Sequence, residues 1–214
     1  MNKLSLVRAI TAAIAFICTP SQAALIDNGG GLFYDTVLDI TWSQPDVERT
    51  WSEAETWVEN LTLGGASDWR LPYISVTAGA GDPFFGDAVW CAFATELECR
   101  DNELGYMFYY NLGGTFGQPI LTSGNSNLAL FPTLRNDDYW SGTVYERNHN
   151  DGLDFVWIFF NGGFPDFGGQ PEPSGFYTWA VHDGNVGESV IPVPATLWLF
   201  SSGLLGLIGI ARRG

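Results

Sequence analysis

Every acidic residue of this 214-residue chain lies between Ala24 and Val190, and two apolar segments with basic flanks bracket that stretch. Inside it, five basic residues (Arg49, Arg70, Arg100, Arg135 and Arg147) stand against 24 acidic ones, a formal charge of −19 with no lysine. Only this central stretch can fold in water, and its length suits one domain with a sizeable core. A field of that sign repels phosphate backbones, which argues against a nucleic-acid partner, and it favours cations. The 15 Phe, 9 Trp and 8 Tyr argue against disorder despite the charge, because they can bury large apolar area.

The first segment reads as a secretory signal peptide, residues 1–23. Lys3 and Arg8 form its basic start, Ala9 to Ile17 its apolar run, and Thr19 to Ala23 a helix break with a small-x-small cleavage site. The apolar run is too short to span a bilayer. Export places Cys91 and Cys99 in an oxidising compartment, where a local disulfide is the default. On one continuous helix they would lie roughly 12 Å apart, too far to bond. The pair therefore predicts a bent or looped segment between them.

The second segment is "IPVPATLWLFSSGLLGLIGIARRG", residues 191–214. Residues 195–211 are uncharged and about 25 Å long as a helix, barely enough to cross a hydrocarbon core. Arg212 and Arg213 follow and favour the cytoplasmic side. Pro192 and Pro194 keep the preceding backbone extended. Pro-x-Pro, a glycine-punctuated helix and a terminal arginine pair, in that order, resemble the PEP-CTERM sorting signal of Gram-negative bacteria. Val193 stands where that family usually has glutamate. The resemblance implies an exosortase as processing partner, an inner-membrane intermediate, removal of the tail, and release toward the cell surface or extracellular matrix.

Residues 24–190 form the exported domain. "LFYD" and "LDITW", joined by Thr36-Val37, read as a β-hairpin. Thr50 and Glu53 have capping-box spacing, and Trp51, Ala54, Trp57, Val58 and Leu61 recur at helical spacing up to Gly64-Gly65. "NELGYMFYYNLGG" predicts a second helix with Leu104, Met107, Phe108 and Leu112 on its apolar face. Residues 77–89 and 117–127 read as loops. "YWSGTVY", "DFVWIFFNGG" and "FYTWAVHDG" read as strands. Helices early and strands late predict an α+β fold, two helices with a mainly antiparallel sheet and long loops.

The ordered set Trp51-Ser52-x-Ala54, "DWRLP" (68–72), "ELGYMFYYNLG" (103–113), "YWSGT" (139–143) and Trp157 to Gly162 is similar to a bacterial C-type-lectin-like domain. That domain is the C-terminal part of a collagen-like adhesin, long filed as a domain of unknown function. The match runs from about Gly31 to Val186. It implies a compact C-type-lectin-like fold serving adhesion or glycan binding. Where that family's last strand carries an Arg-x-Val-Arg type pattern, this chain reads "WAVHDG".

Catalytic signals are thin. His149 lies in a polar turn and His182 at a strand end. Asp183 would not orient His182, since strand neighbours point to opposite faces. Cation binding has the better ligand chemistry. Asp137 and Asp138, with Asn148, Asn150, Asp151 and Asp154, supply the oxygen donors calcium uses, although the same residues also initiate turns. "QPD" (44–46) matches the galactose tripeptide of calcium-dependent lectins but falls near the N-terminal hairpin, and reads as coincidence. Among the late aromatics, Phe164 and Phe167 in "GGFPDFGG" read as loop residues open to a ligand, with Trp179 as a further candidate for sugar stacking. The expectation is a non-enzymatic, exported glycan- or exopolysaccharide-binding protein. A matrix component without a ligand is the alternative, and a cysteine-dependent enzyme of the sulfatase-modifying fold type the remote one.

Overall fold

The computed structural model describes residues 25–74, 88–146, 155–169 and 175–187. The expected signal peptide, the sorting residues Pro192, Val193, Pro194, Arg212 and Arg213, and the helix expected over 195–211 lie outside the described residues. Among the described residues no helix is long and apolar enough to cross a membrane.

The fold is α+β with few helices and mainly antiparallel sheets. Strands β1 (Leu25–Gly29), β2 (Leu32–Asp35), β3 (Ile40–Trp42) and β4 (Asp46–Arg49) precede helix α1 (Trp51–Glu59). Two short helices follow, α2 (Glu96–Cys99) and α3 (Glu103–Tyr106), the latter continued by a π-helical turn over Met107–Asn111. Then come two 3₁₀ turns and strands β5 (Tyr139–Glu146), β6 (Phe155–Phe160), β7 (Phe164–Gly169), β8 (Phe176–Thr178) and β9 (Val181–Asp183). One sheet has the order β1-β2-β3-β9, the other β4-β8-β5-β6-β7. Among the described residues, only the β5–β8 contact is parallel.

Early and late strands are thus interleaved in both sheets. β9 pairs with β3 and β8 with β4, so both ends of the domain serve both sheets. The two crossings between sheets lie side by side. The Ser43 amide donates to the Ala180 carbonyl at 2.9 Å, the Ala180 amide to Ser43 Oγ at 3.2 Å, and Trp179 Nε1 to the Ser43 carbonyl at 2.7 Å.

Strand β6 shows why its sequence is apolar throughout. Val156 and Ile158 enter one core cluster with Trp51, Ala54, Val58, Trp69, Leu71 and Trp140. Trp157 and Phe159 enter the other with Trp42, Phe108, Phe131 and Trp179. Successive side chains point to opposite faces, and both faces of this strand are covered. Helix α1 forms where its capping box predicted: the Thr50 amide donates to Glu53 Oε2 and the Glu53 amide to Thr50 Oγ1. Its buried Trp51, Ala54 and Val58 face the sheet.

The predicted hairpin is β2–β3, with a four-residue connection built on Asp35. This carboxylate is fully buried. Oδ1 accepts the Val37 and Leu38 amides (2.8 and 3.0 Å), and Oδ2 accepts Asn111 Nδ2 at 2.6 Å. One acid thereby closes the turn and anchors the helical segment. Asp35→Ala orphans three donors and should lower unfolding stability by about 3 kcal/mol, measured by urea denaturation; a loss under about 1 kcal/mol would contradict this role.

Candidate functional site

Cys91 and Cys99 form a disulfide, with Cα atoms 4.9 Å apart. The segment between them is a turn over residues 91–94 followed by α2, the bend their spacing required. Thr95 and Glu98 cap α2 reciprocally. Glycine at position 105 is obligatory, because a Cβ there would lie 2.5 Å from Cys91 Sγ and 2.9 Å from Asn102 Cγ.

The staple displays aromatic side chains. Phe93 is 75% exposed, Leu97 71% and Phe116 44%. Phe160, Phe164, Trp90 and Phe93 form a stack of near-parallel rings. Successive centroid distances are 5.2, 6.0 and 6.3 Å, with interplanar angles of 4°, 16° and 22°. Phe116 tilts against Trp90, Phe93 and Phe164 at 6.3, 5.5 and 6.0 Å. The stack runs from half-buried Phe160 to Phe93, whose outer face meets water. On α2, Glu96 is held below the ordinary carboxylate range, chiefly by its hydrogen bond from Arg100. Glu98 is lowered by the Thr95 backbone amide. Both carboxylates stay ionised at neutral pH, Glu96 in an ion pair with Arg100 at 2.8 Å.

Phe164 is therefore part of this face, but as a strand residue. "GGFPDFGG" was expected to be a loop; it forms β7 and pairs with β6 from Phe164↔Phe160 to Gly169↔Phe155. Pro165 is tolerated because β7 is an edge strand, with no ladder partner on its far side. Phe167 pairs with Trp157 through the backbone, and its side chain lies outside the described residues. Trp179 is no surface platform. It is 2% exposed, bonded to the Ser43 carbonyl, and packed edge-on against Trp42 and Phe131 at 4.9 and 5.1 Å. The crossing between sheets buries it. Sequence reasoning missed Trp90, Phe93 and Phe116; one aromatic within the disulfide-closed loop (Phe93) and one just before it (Trp90) were the signal available for the first two.

The calcium candidates divide. Asp137 Oδ1 accepts the Asp138 amide and Asp138 Oδ1 the Asn161 amide, at 2.9 and 3.0 Å, so the first serves a local turn and the second ties that turn to the residue after β6. Asn148, Asn150, Asp151 and Asp154 lie outside the described residues, as does His149. Among the described residues no group of three His, Cys, Asp or Glu could hold a metal. His182 packs on Trp69 with centroids 5.4 Å apart, and its Nδ1 lies 2.6 Å from the Asp183 carbonyl. The hydroxyl opposite, on Thr41, is engaged by the Gly184 carbonyl and the Val186 amide.

The strings that carried the lectin-like resemblance meet one another. Arg70 binds Glu103 through both terminal nitrogens (2.8 and 2.7 Å) and Asp183 at 2.7 Å, and lies over the Tyr73 ring at 4.2 Å. Burial would lower its pKa, but the hydrogen bonds and charge of Glu103, with Asp183, outweigh that and raise it. The Gly142 amide donates to the Pro72 carbonyl, and Trp51 Nε1 to the Ser141 carbonyl. "QPD" is also internal: Gln44 donates to the Leu130 carbonyl, and Asp46 pairs with Arg49 at 2.9 Å.

Comparison of the chain with protein-family models, with curated proteins and with solved structures found no match.

Arg70→Ala leaves Glu103, 12% exposed, without its counter-charge and should cost about 3 kcal/mol; Arg70→Lys should recover only part of it, since an ammonium cannot reproduce the fork. Denaturation midpoints of the two variants check the order. Replacing Cys91 and Cys99 by serine should remove about 2.5 kcal/mol and diminish near-ultraviolet circular dichroism from Trp90, with far-ultraviolet signal retained. Unchanged near-ultraviolet signal would show that the staple does not hold the stack.

Proposed function

We propose that this chain is an exported cell-surface or extracellular-matrix protein that binds a neutral glycan or exopolysaccharide on the Trp90–Phe93–Phe116–Phe164 face. The observation that carries this reading is the stack of near-parallel rings ending at exposed Phe93. Flat C–H faces of pyranose rings continue such a stack, and the ring positions are set before binding, which limits the ordering entropy. Contiguous apolar surface on a soluble domain marks an interaction site. The domain's formal charge of −19 opposes sulfated or uronic polymers and anionic lipid surfaces.

The finer assignment, a C-type-lectin-like fold on a substrate of an exosortase, rests on the ordered motifs and on the tail. The α+β architecture and the meeting of those motifs around Arg70 support the first part. The reading includes no catalytic residue. The second reading, a matrix component without a ligand, is favoured by one observation: Arg70 and Glu103, both within the motif strings, are spent on internal bonds.

A glycan array with and without calcium tests the reading. Binding should be confined to neutral polymers and indifferent to chelation. Phe93→Ala removes a side chain exposed enough not to disturb the core, and should weaken binding about tenfold, the equivalent of 1.4 kcal/mol. A flat array response, or binding unaltered by Phe93→Ala, would favour the matrix component.

A further inference from the structure

A second concave surface lies at the β4–β8 edge of the five-stranded sheet, opposite the β7 edge that carries Phe164 of the aromatic stack. It is a cleft of about 400 Å³ lined by Pro45, Asp46, Val47, Glu48, Thr133, Arg135 and Tyr177. Small-ligand sites begin at about this size.

The cleft is built rather than incidental. A register shift between Asp46 and Glu48 places Glu48 opposite Tyr177 and Asp46 opposite Thr178. Such a bulge redirects side chains and bends the edge. Thr178 Oγ1 and Arg49 Nη1 both donate to the Val47 carbonyl, and Arg49 Nη2 holds Asp46, so the bulged residue is fixed. The opposite wall is tied across: Thr133 Oγ1 donates to the Pro45 carbonyl at 2.8 Å, and the Arg135 amide to the Tyr139 hydroxyl at 2.9 Å. The Tyr177 amide donates to the Asp138 carbonyl and its ring leans on Tyr139, which seats the cleft floor on the core.

After those bonds, two opposite charges remain in one cleft without pairing. Arg135 makes one side-chain bond, from Nη1 to the Leu134 carbonyl, and joins none of the ion pairs among the described residues. Glu48 likewise joins none of them. A cation in the cleft would meet Arg135, and an anion would meet Glu48, Asp46 and the field of the domain. An uncharged ring bearing both hydroxyl donors and acceptors meets neither penalty. It can donate to Glu48, accept from Arg135 and lay an apolar face on Tyr177.

We propose that this cleft is a binding site for a single neutral sugar ring, separate from the aromatic stack. The choice of a sugar as occupant rests on the glycan reading above; the cleft itself does not. In this arrangement the stack takes the faces of a polymer, and the cleft takes a single ring laid on Tyr177.

Saturation-transfer difference NMR of the full chain with methyl glucoside, methyl glucuronide and methyl glucosaminide tests this. The neutral glycoside should show transfer, with affinity on the order of millimolar, and the anionic one little. Arg135→Ala and Glu48→Gln, both at surface positions, should each weaken it about fivefold, the value of one exposed hydrogen bond. Phe93→Ala should leave it unchanged, whereas retention of a long neutral polymer should fall in Phe93→Ala. Circular dichroism confirms that the variants are folded. Transfer insensitive to Arg135→Ala and Glu48→Gln, transfer abolished by Phe93→Ala, a preference for the glucuronide, or no transfer from any of the three sugars would overturn the cleft assignment. None of these touches polymer binding by the stack, which stands or falls on its own variant.

Discussion

The contact between Ser43 and Trp179-Ala180 holds the two sheets in one body. At this point the chain leaves β3 for β4 and, near its other end, leaves β8 for β9. Three hydrogen bonds join the two crossings, and two of them use side chains that no other residue type would supply equally: the Ser43 hydroxyl and the Trp179 indole. Trp179 then fills the space between Trp42, Phe131 and Tyr139. Pairing residues some 140 positions apart is entropically slow to form, but once formed it leaves neither end of the domain free to fray. The β1–β2 turn repeats the theme, with Asn28 Nδ2 bound to Asn185 Oδ1 and the Val186 carbonyl.

A second tie runs through Arg70. Its guanidinium joins the segment after α1 to α3 through Glu103 and to β9 through Asp183. Glu103 also accepts the Tyr73 amide at 2.7 Å, so both of its oxygens are used. The partly buried charges are paired and hydrogen-bonded, the condition under which such an ion pair holds geometry instead of weakening the fold. The segment that carries Trp90 and Phe93 is tied to the start of α3, which this network positions, through the Asn102 side chain on the Val89 carbonyl and the disulfide against Gly105.

Local features were legible in the sequence, and long-range ones were not. The capping box of α1, the hairpin around Asp35 and the bend between the cysteines each follow from residues within a few positions of one another. The two faces of β6 follow from an unbroken apolar run. β4 and β7 were not legible, because edge strands pair on one side only and tolerate Pro165 and the charged run Asp46 to Arg49. Trp179 was misjudged for the opposite reason. "FYTWAVHDG" reads as one strand, and only its break at Trp179-Ala180, where the chain passes from one sheet to the other, buries that ring. The cleft joins residues 45–48, 133–135 and 177, which no local pattern unites.

The surplus of acid explains how the surface can be so negative and still ordered. Arginines are too few to pair with the acids, so backbone amides take their place. Asp35, Glu53, Glu98, Glu103, Asp137 and Asp138 each accept at least one amide hydrogen. Hydrogen bonds of this kind favour the ionised form, which is why Glu53 and Glu98 are held below their ordinary value of 4.5, the Thr50 and Thr95 amides being the first cause in each. A depressed folded-state pKa contributes stability that is present above the unfolded value and fades as pH falls through the folded one. The acids are therefore structural while ionised, and the field they generate is a fixed property of the domain at neutral pH. Binding must work within that field. An uncharged aromatic stack and a cleft whose single base offsets its acids are the two places where a neutral ligand escapes it.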